Sequence, residues 1–194
     1  MTPTPLTFSS DPGRVADVLG SLDGSTTRFL SALLDEPLKA KVMLQARRPA
    51  AGALPTAVLS RMRPAADDIV IVRRSQLVVA DTGAVISENK VVLDIGHPLM
   101  ADLDLGTDIP IGYLLSEVEQ RRELLQRGVR RWSWGMPDPF STTRPSAWRS
   151  YLIVNGGRPI CYIEEVFHPD IVAPASQTYG PGEHDERLPV AVAG

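Results

Sequence analysis

The sequence predicts an α+β fold: one domain on a mainly antiparallel sheet, with helices before and between its hairpins. Two pairs of apolar runs predict the sheet. "DIVIVRRSQLVVA" and "AVISENKVVLDI" flank Asp81-Thr82-Gly83, and "RSYLIVNG" and "GRPICYIEEVF" flank Asn155-Gly156-Gly157, short Gly-bearing connections of the kind that close β-hairpins. Helical spacing occurs in blocks rather than alternating with each strand, which disfavours a βαβ arrangement. Of 194 residues, 43% are hydrophobic and 22% charged, enough apolar material for a single core.

Taken in order, "SSDPGRVADVLGSL" offers Asp11 as N-cap, Pro12 at the first helical position and an apolar face of Val15, Val18, Leu19 and Leu22. "DGSTTRFLSALLDEP" follows, with Ser25 or Thr26 as cap, Phe29, Leu30, Leu33 and Leu34 as the apolar face, and Pro37 as the stop. "LKAKVMLQARRP" predicts a strand, and residues 49–68, rich in Ala, Pro and charge, a connection with little regular structure. The strongest helical spacing lies in "DIPIGYLLSEVEQRRELLQRG", where Pro110 opens, Ile111, Leu114, Leu115, Val118 and Leu125 share a face, and Gly128 stops. Residues 133–148, dense in Pro, Ser and Thr, predict a surface loop. The domain is expected to close at residue 168, leaving 169–194 as a Pro/Gly-rich tail.

Charge and composition narrow the function classes. A net charge of −3 argues against a nucleic-acid or membrane-surface binder, since both need a basic excess. No run of 18 uncharged apolar residues predicts a span, and "MTPTPLTFSSDPG" lacks a basic segment followed by an apolar one, so a cytoplasmic protein is expected. Cys161 is the single cysteine, which excludes an intrachain disulfide. His97, His168 and His184 are widely separated, so no metal site is expected.

Two strands carry charge inside apolar runs. In "RPICYIEEVFHP", Glu164 shares a face with Ile160, Tyr162 and Val166, and Glu165 shares the other with Cys161, Ile163 and Phe167. Both faces are apolar, and burying an unpartnered carboxylate costs several kcal/mol, so at least one glutamate has a special role. In "IVIVRRSQLVV", Arg73 and Arg74 pose the same alternative. A buried guanidinium requires a carboxylate, from the protein or from a ligand. Periodicity leaves open which of each pair points inward, and a structural Arg–Glu pair satisfies it as well as a ligand does.

The stretches "RSQLVVADTGAVISENKVVL" (74–93), "DIPIGYLL" (108–115) and "GRPICYIEEVFHP" (157–169), with "DGSTTRFL" (23–30) before them, resemble in order and spacing the chorismate pyruvate-lyase family, the cofactor-free 4-hydroxybenzoate synthases. The resemblance spans most of residues 20–169 and rests on the joint order of short motifs. It implies a six-stranded antiparallel sheet with helices on one side and a closed ligand site, with no cofactor. It places the family's carboxylate-binding arginine on Arg74 and its glutamate on Glu165. It also places backbone N–H contacts to the substrate carboxylate at Ser25 and Ile111, both at predicted helix N-termini, and Arg149 is a candidate for the second carboxylate. Glu164 occupies a position where relatives can have Thr, a departure that puts a second negative charge nearby. The implied activity is conversion of chorismate, a small dianion, to 4-hydroxybenzoate and pyruvate by a monomer, with product inhibition, and with the two N-terminal helices and residues 97–128 as flaps. The same scaffold allows two alternatives: a related cyclohexadiene or enol-ether substrate, or an aromatic-acid-binding domain without catalysis.

Overall fold

A computed structural model describes residues 18–19, 24–65, 67–100, 105, 109–115, 121–134 and 143–172. Six strands form one antiparallel sheet: β1 (Leu38–Pro49), β2 (Ile69–Val79), β3 (Val85–Asp94), β4 (Arg121–Ser133), β5 (Thr143–Asn155) and β6 (Arg158–Phe167), in the order β1-β2-β3-β6-β5-β4. Both predicted hairpins form. Gly83 has φ +71°, and Gly156 and Gly157 have φ +54° and +81°. Positive φ at both central residues of the β5–β6 connection is a type I′ turn, whose twist matches that of the strands.

Helix α1 (Thr26–Leu34) starts at Ser25, whose hydroxyl accepts from the Arg28 N–H, and ends at Asp35 in the left-handed region. Of the preceding predicted helix, Val18 and Leu19 are helical, while Asp11, Pro12, Val15 and Leu22 lie outside the described residues. The expected connection 49–68 contains two short helices, α2 (Ala50–Ala53) and α3 (Thr56–Met62), each entered from a proline. Leu30 and Leu34 of α1 pack with Leu77 and Phe167, and Ile111 and Leu115 pack with Val91, Tyr151 and Ile163 on the same side of the sheet. Ala53, Val58 and Met62 cover Val70, Val92, Leu152 and Tyr162 on the other side. Helices therefore flank both faces, because the segment 49–68 contributes cover that its composition had hidden.

Three expectations are corrected. The helix predicted through Gly128 is a single turn, α4 (Ile111–Leu114), and Arg121–Ser133 is strand β4, with Gly128 paired to Trp148. β4 is an edge strand, and much of it is exposed, so burial imposes neither a continuous apolar run nor a clean alternation on its sequence. A bulge between Leu124 and Gln126 further breaks the period by placing Gln126 on the same side as Leu125, which packs toward α2 and α3. Helix-forming Arg, Glu, Leu and Gln then mimic a helical face while tertiary pairing decides the conformation. The predicted loop 133–148 likewise contains the start of β5. Pro145 is tolerated there because β5 pairs only with β4 at that point, its register with β6 beginning at Trp148. The core also runs past residue 168, since Ile171 and Val172 are buried against Leu34 and Phe167.

Candidate active site

The face of the sheet beneath α1 and α4 concentrates polar groups in an apolar surround. Antiparallel register aligns Ser75 with Asn89, Asn89 with Glu165 and Glu165 with Arg149, one row across β2, β3, β6 and β5. The next row carries Arg73, Val91, Ile163 and Tyr151, and the one beyond it Leu93, Cys161, Ile153 and Arg122. Glu165 is thus the inward-facing glutamate, 8% exposed, and Arg149 beside it is 3% exposed. Arg149 Nε donates to Glu165 Oε2 at 2.8 Å, its Nη1 to the Leu19 carbonyl and its Nη2 to Thr26 Oγ1. Thr26 Oγ1 in turn donates to Glu165 Oε2 at 3.3 Å.

A second guanidinium adjoins this pair. Arg122 Nη1 donates to Tyr151 Oη at 2.8 Å and lies 3.3 Å from Thr26 Oγ1. Both Arg122 and Arg149 stand 4.9 Å from the Tyr151 ring centroid, within cation–π range. Burial and then the Glu165 charge push the Tyr151 phenol well above its ordinary range, against the pull of the two arginines. Burial disfavours the Arg149 cation, and Glu165 and Tyr151 together more than offset that, so its pKa is raised.

The helix starts close over this cluster. A Cβ on Gly112 would sit 3.1 Å from Ser25 Oγ and 3.9 Å from Arg122 Nη2, so the absence of a side chain lets α4 approach α1 and the arginine. Ile111 is buried and Ser25 is half-buried at this junction. N–H groups at the start of a helix such as α1 lack intrahelical partners, which favours an anion there. The arrangement suits an anionic ligand enclosed between the helices and the sheet, with one carboxylate of the protein to move a proton.

The structure brings together Glu165, Arg149, Ser25 and Ile111, and separates Arg74 from them. Arg74 is paired with Lys90, and Lys90 with Glu164, which puts it on the opposite face from Glu165. The inward arginine of the doublet is Arg73, fully buried, donating to the carbonyls of Leu105 at 3.2 Å and Ile109 at 3.3 Å. Strand alternation makes these two assignments mutually exclusive. Two strand spacings, about 10 Å, separate β2 from β6, with Asn89 and Val91 of β3 between Arg73 and Glu165. Sequence reasoning missed Arg73, Thr26, Arg122 and Tyr151 as site residues. Tyr151 had a signal, two residues from Arg149 in a strand and hence on its face. Arg122 had none while its segment was taken for a helix. Among the described residues, no three His, Cys, Asp or Glu side chains converge as metal ligands, and no helix is long and apolar enough to cross a membrane.

Solved structures share the fold at low identity. Gene product SA0254 from Staphylococcus aureus is similar with a TM-score of 0.54 at 17% identity, over 75% of this chain and 90% of that one. PhnF from Mycobacterium smegmatis gives 0.55 at 9%, over 77% and 65%, and the possible transcriptional regulator YydK from Bacillus subtilis gives 0.53 at 10%, over 77% and 63%. Likeness of this degree shows the architecture alone. No curated protein matches the sequence. The family model described as chorismate pyruvate-lyase Rv2949c-like matches residues 20–174, a span that contains the whole sheet and every residue of the cluster around Glu165 except Leu19. The chain belongs to the chorismate pyruvate-lyase Rv2949c-like family.

Proposed function

We propose that the protein is a cofactor-independent lyase that converts chorismate to 4-hydroxybenzoate and pyruvate. The observation that carries this reading is the buried Glu165, held by Arg149 and Thr26 on a face that also bears Arg73 and Arg122. The buried positive charge exceeds the single carboxylate there, as a dianionic substrate requires. Arg73 and the N–H groups at Ser25 and Ile111 hold the ring carboxylate, taking over the part that the sequence had assigned to Arg74. Glu165 accepts the C4 proton as the C3–O bond breaks, and the enolpyruvyl group leaves as the enolate of pyruvate, which takes that same proton at its methylene carbon to give pyruvate. Aromatisation drives the step, so the protein has only to position the substrate and move one proton. Arg149 is a positioning residue: its contacts fix the carboxylate of Glu165. The reading takes the protein to act as a cytoplasmic monomer. Because 4-hydroxybenzoate keeps the ring carboxylate, it binds the same contacts and inhibits.

A second reading, an aromatic-acid-binding domain without turnover, is favoured by the fold shared with PhnF, one of whose solved structures is titled an effector domain. One experiment separates the two. The full chain is incubated with chorismate without metal or nucleotide, and products are quantified by chromatography. Equimolar 4-hydroxybenzoate and pyruvate, with kcat lowered about 10²- to 10⁴-fold in Glu165→Gln, are expected. Tight binding of 4-hydroxybenzoate with no chorismate consumed would establish the second reading instead.

A further inference from the structure

The arginine that the active site leaves out occupies an unusual position on the far side of the sheet. Arg74 on β2 lies directly opposite Lys90 on β3 in antiparallel register. Like charges placed opposite each other across a strand pair are destabilising. Both side chains are half-buried, which removes part of the water that would screen them. Among the described residues, neither makes a hydrogen bond or an ion pair within 4.0 Å. The carboxylate in the same row, Glu164 opposite Lys90, is drawn elsewhere: it accepts from the Tyr162 hydroxyl at 2.8 Å and pairs with Arg130 at 3.5 Å. Glu88, one pair along β3, is engaged by Gln76 and by the Trp132 indole N–H. The two cations therefore stand side by side without a directly bonded anion among the described residues, while Glu164 acts on Lys90 from the neighbouring strand.

We propose that Arg74 and Lys90 form a second anion-binding site on the face remote from Glu165, which takes a small oxyanion, the carboxylate or phosphate of a metabolite. An anion seated between the two side chains converts their repulsion into a two-point clamp, with the guanidinium offering two parallel donors and the ammonium a point charge. Burial lowers the Lys90 pKa, Glu164 opposes that and Arg74 adds to it, so the ammonium gains from any anion that arrives. The half-buried setting of both side chains fits a small ligand better than a flat macromolecular partner. Its neighbour Tyr162 lies in the core that α2 and α3 cover, which gives the site a rigid wall.

The test is calorimetric titration of the full chain with inorganic phosphate and, separately, with benzoate, on wild type, Arg74→Gln, Lys90→Met and Arg122→Gln. At least one probe is expected to bind wild type and Arg122→Gln alike and to weaken by about tenfold or more in each of the other two variants; whichever probe does so identifies the head group. Thermal unfolding supplies the second readout. Without ligand, Arg74→Gln should keep or raise the Tm, because it removes one of two opposed like charges, and the probe should raise the Tm of wild type but not of Arg74→Gln or Lys90→Met. Binding that is indifferent to both substitutions, or lost only in Arg122→Gln, would overturn the proposal.

Discussion

Replacing Glu165 by Gln tests the electrostatics of the buried pair apart from any catalysis. The side chains of Arg149 and Glu165 are 4% and 10% exposed and meet at 2.8 Å, so neither solvent nor salt screens them appreciably. Two unit charges about 4 Å apart interact by about 4 kcal/mol at an effective dielectric of 20. The amide oxygen of Gln still accepts from Arg149 and Thr26, which returns part of this, but it leaves a guanidinium buried without a counter-charge. Removing one partner of a buried pair costs about 3–5 kcal/mol, and with the retained hydrogen bonds the net loss is expected to be roughly 2–3 kcal/mol. For a chain of this size that lowers the Tm by about 4–12 °C. Urea and thermal unfolding of wild type, Glu165→Gln, Arg149→Met and the double variant would measure it. The double variant should recover at least about 1 kcal/mol relative to the sum of the singles. Strict additivity, or a Glu165→Gln protein as stable as wild type, would refute the idea that this pair is electrostatically coupled and dry.

Tyr151 and Tyr162 both have phenol pKa values raised by burial and by the neighbouring glutamates, Glu165 and Glu164. Spectrophotometric titration of the native protein should thus show two of its four tyrosines failing to ionise near pH 10, and four ordinary transitions there would contradict the packing. His97 has a lowered pKa, from burial first and Arg158 second, and its Nδ1 accepts from the Leu99 N–H; His168 is lowered by burial as well. With native values below the ordinary 6.5, the unfolded chain binds more protons, so stability is full above that pH and is lost as pH falls below it. The drop in Tm between pH 7 and 5 should shrink in His97→Asn and again in His97→Asn with His168→Asn; an unchanged slope would dismiss both. Gly112→Ala brings a Cβ to 3.1 Å from Ser25 Oγ. The gain in helix propensity, about 1 kcal/mol, offsets that crowding. Stability should change little while kcat/KM falls about tenfold, and equal activity would show that the approach of α4 to Ser25 is incidental.

Much of the sheet was legible because its central strands are buried on both faces. β2, β3 and β6 show apolar runs bounded by Gly-containing turns, and those runs survive in any fold that pairs them. α1 was legible for a local reason, since Ser25 supplies the cap through its own hydroxyl. The edge strand β4 was not: its partner lies on one side only, and Arg121, Gln126 and Arg127 are exposed, so its residue types answer to solubility rather than to alternation. In the site, Glu165 was placed inward by resemblance and sits there because Asn89 and Arg149 are its register partners. Arg122 and Thr26 reach Glu165 and Tyr151 from segments 29 and 125 residues away from Tyr151, separations at which no local pattern exists.

The doublets explain why the remaining error was one residue wide. Arg73-Arg74, Asn89-Lys90 and Glu164-Glu165 lie on three adjacent strands, and each sends one side chain to either face. Register then sorts them: Asn89 with Glu165 under the helices, and Arg74 with Lys90 and Glu164 on the reverse. Composition is blind to this sorting, because both members of the Arg and Glu pairs are the same residue. The deciding constraint is the β2–β3 hairpin, where the left-handed Gly83 closes the turn and an irregularity between Leu77 and Val78 shifts the strands by one position. Upstream of that shift Arg73 faces Ile163 and Tyr151 across the sheet; had the ladder run without it, the identity of the inward arginine would depend on the turn alone. A change in turn length here shifts the pairing of β2 with β3 by one residue. The loop 80–84 therefore helps to set the register of β2 against β3, on which the row shared by Arg74 and Lys90 depends.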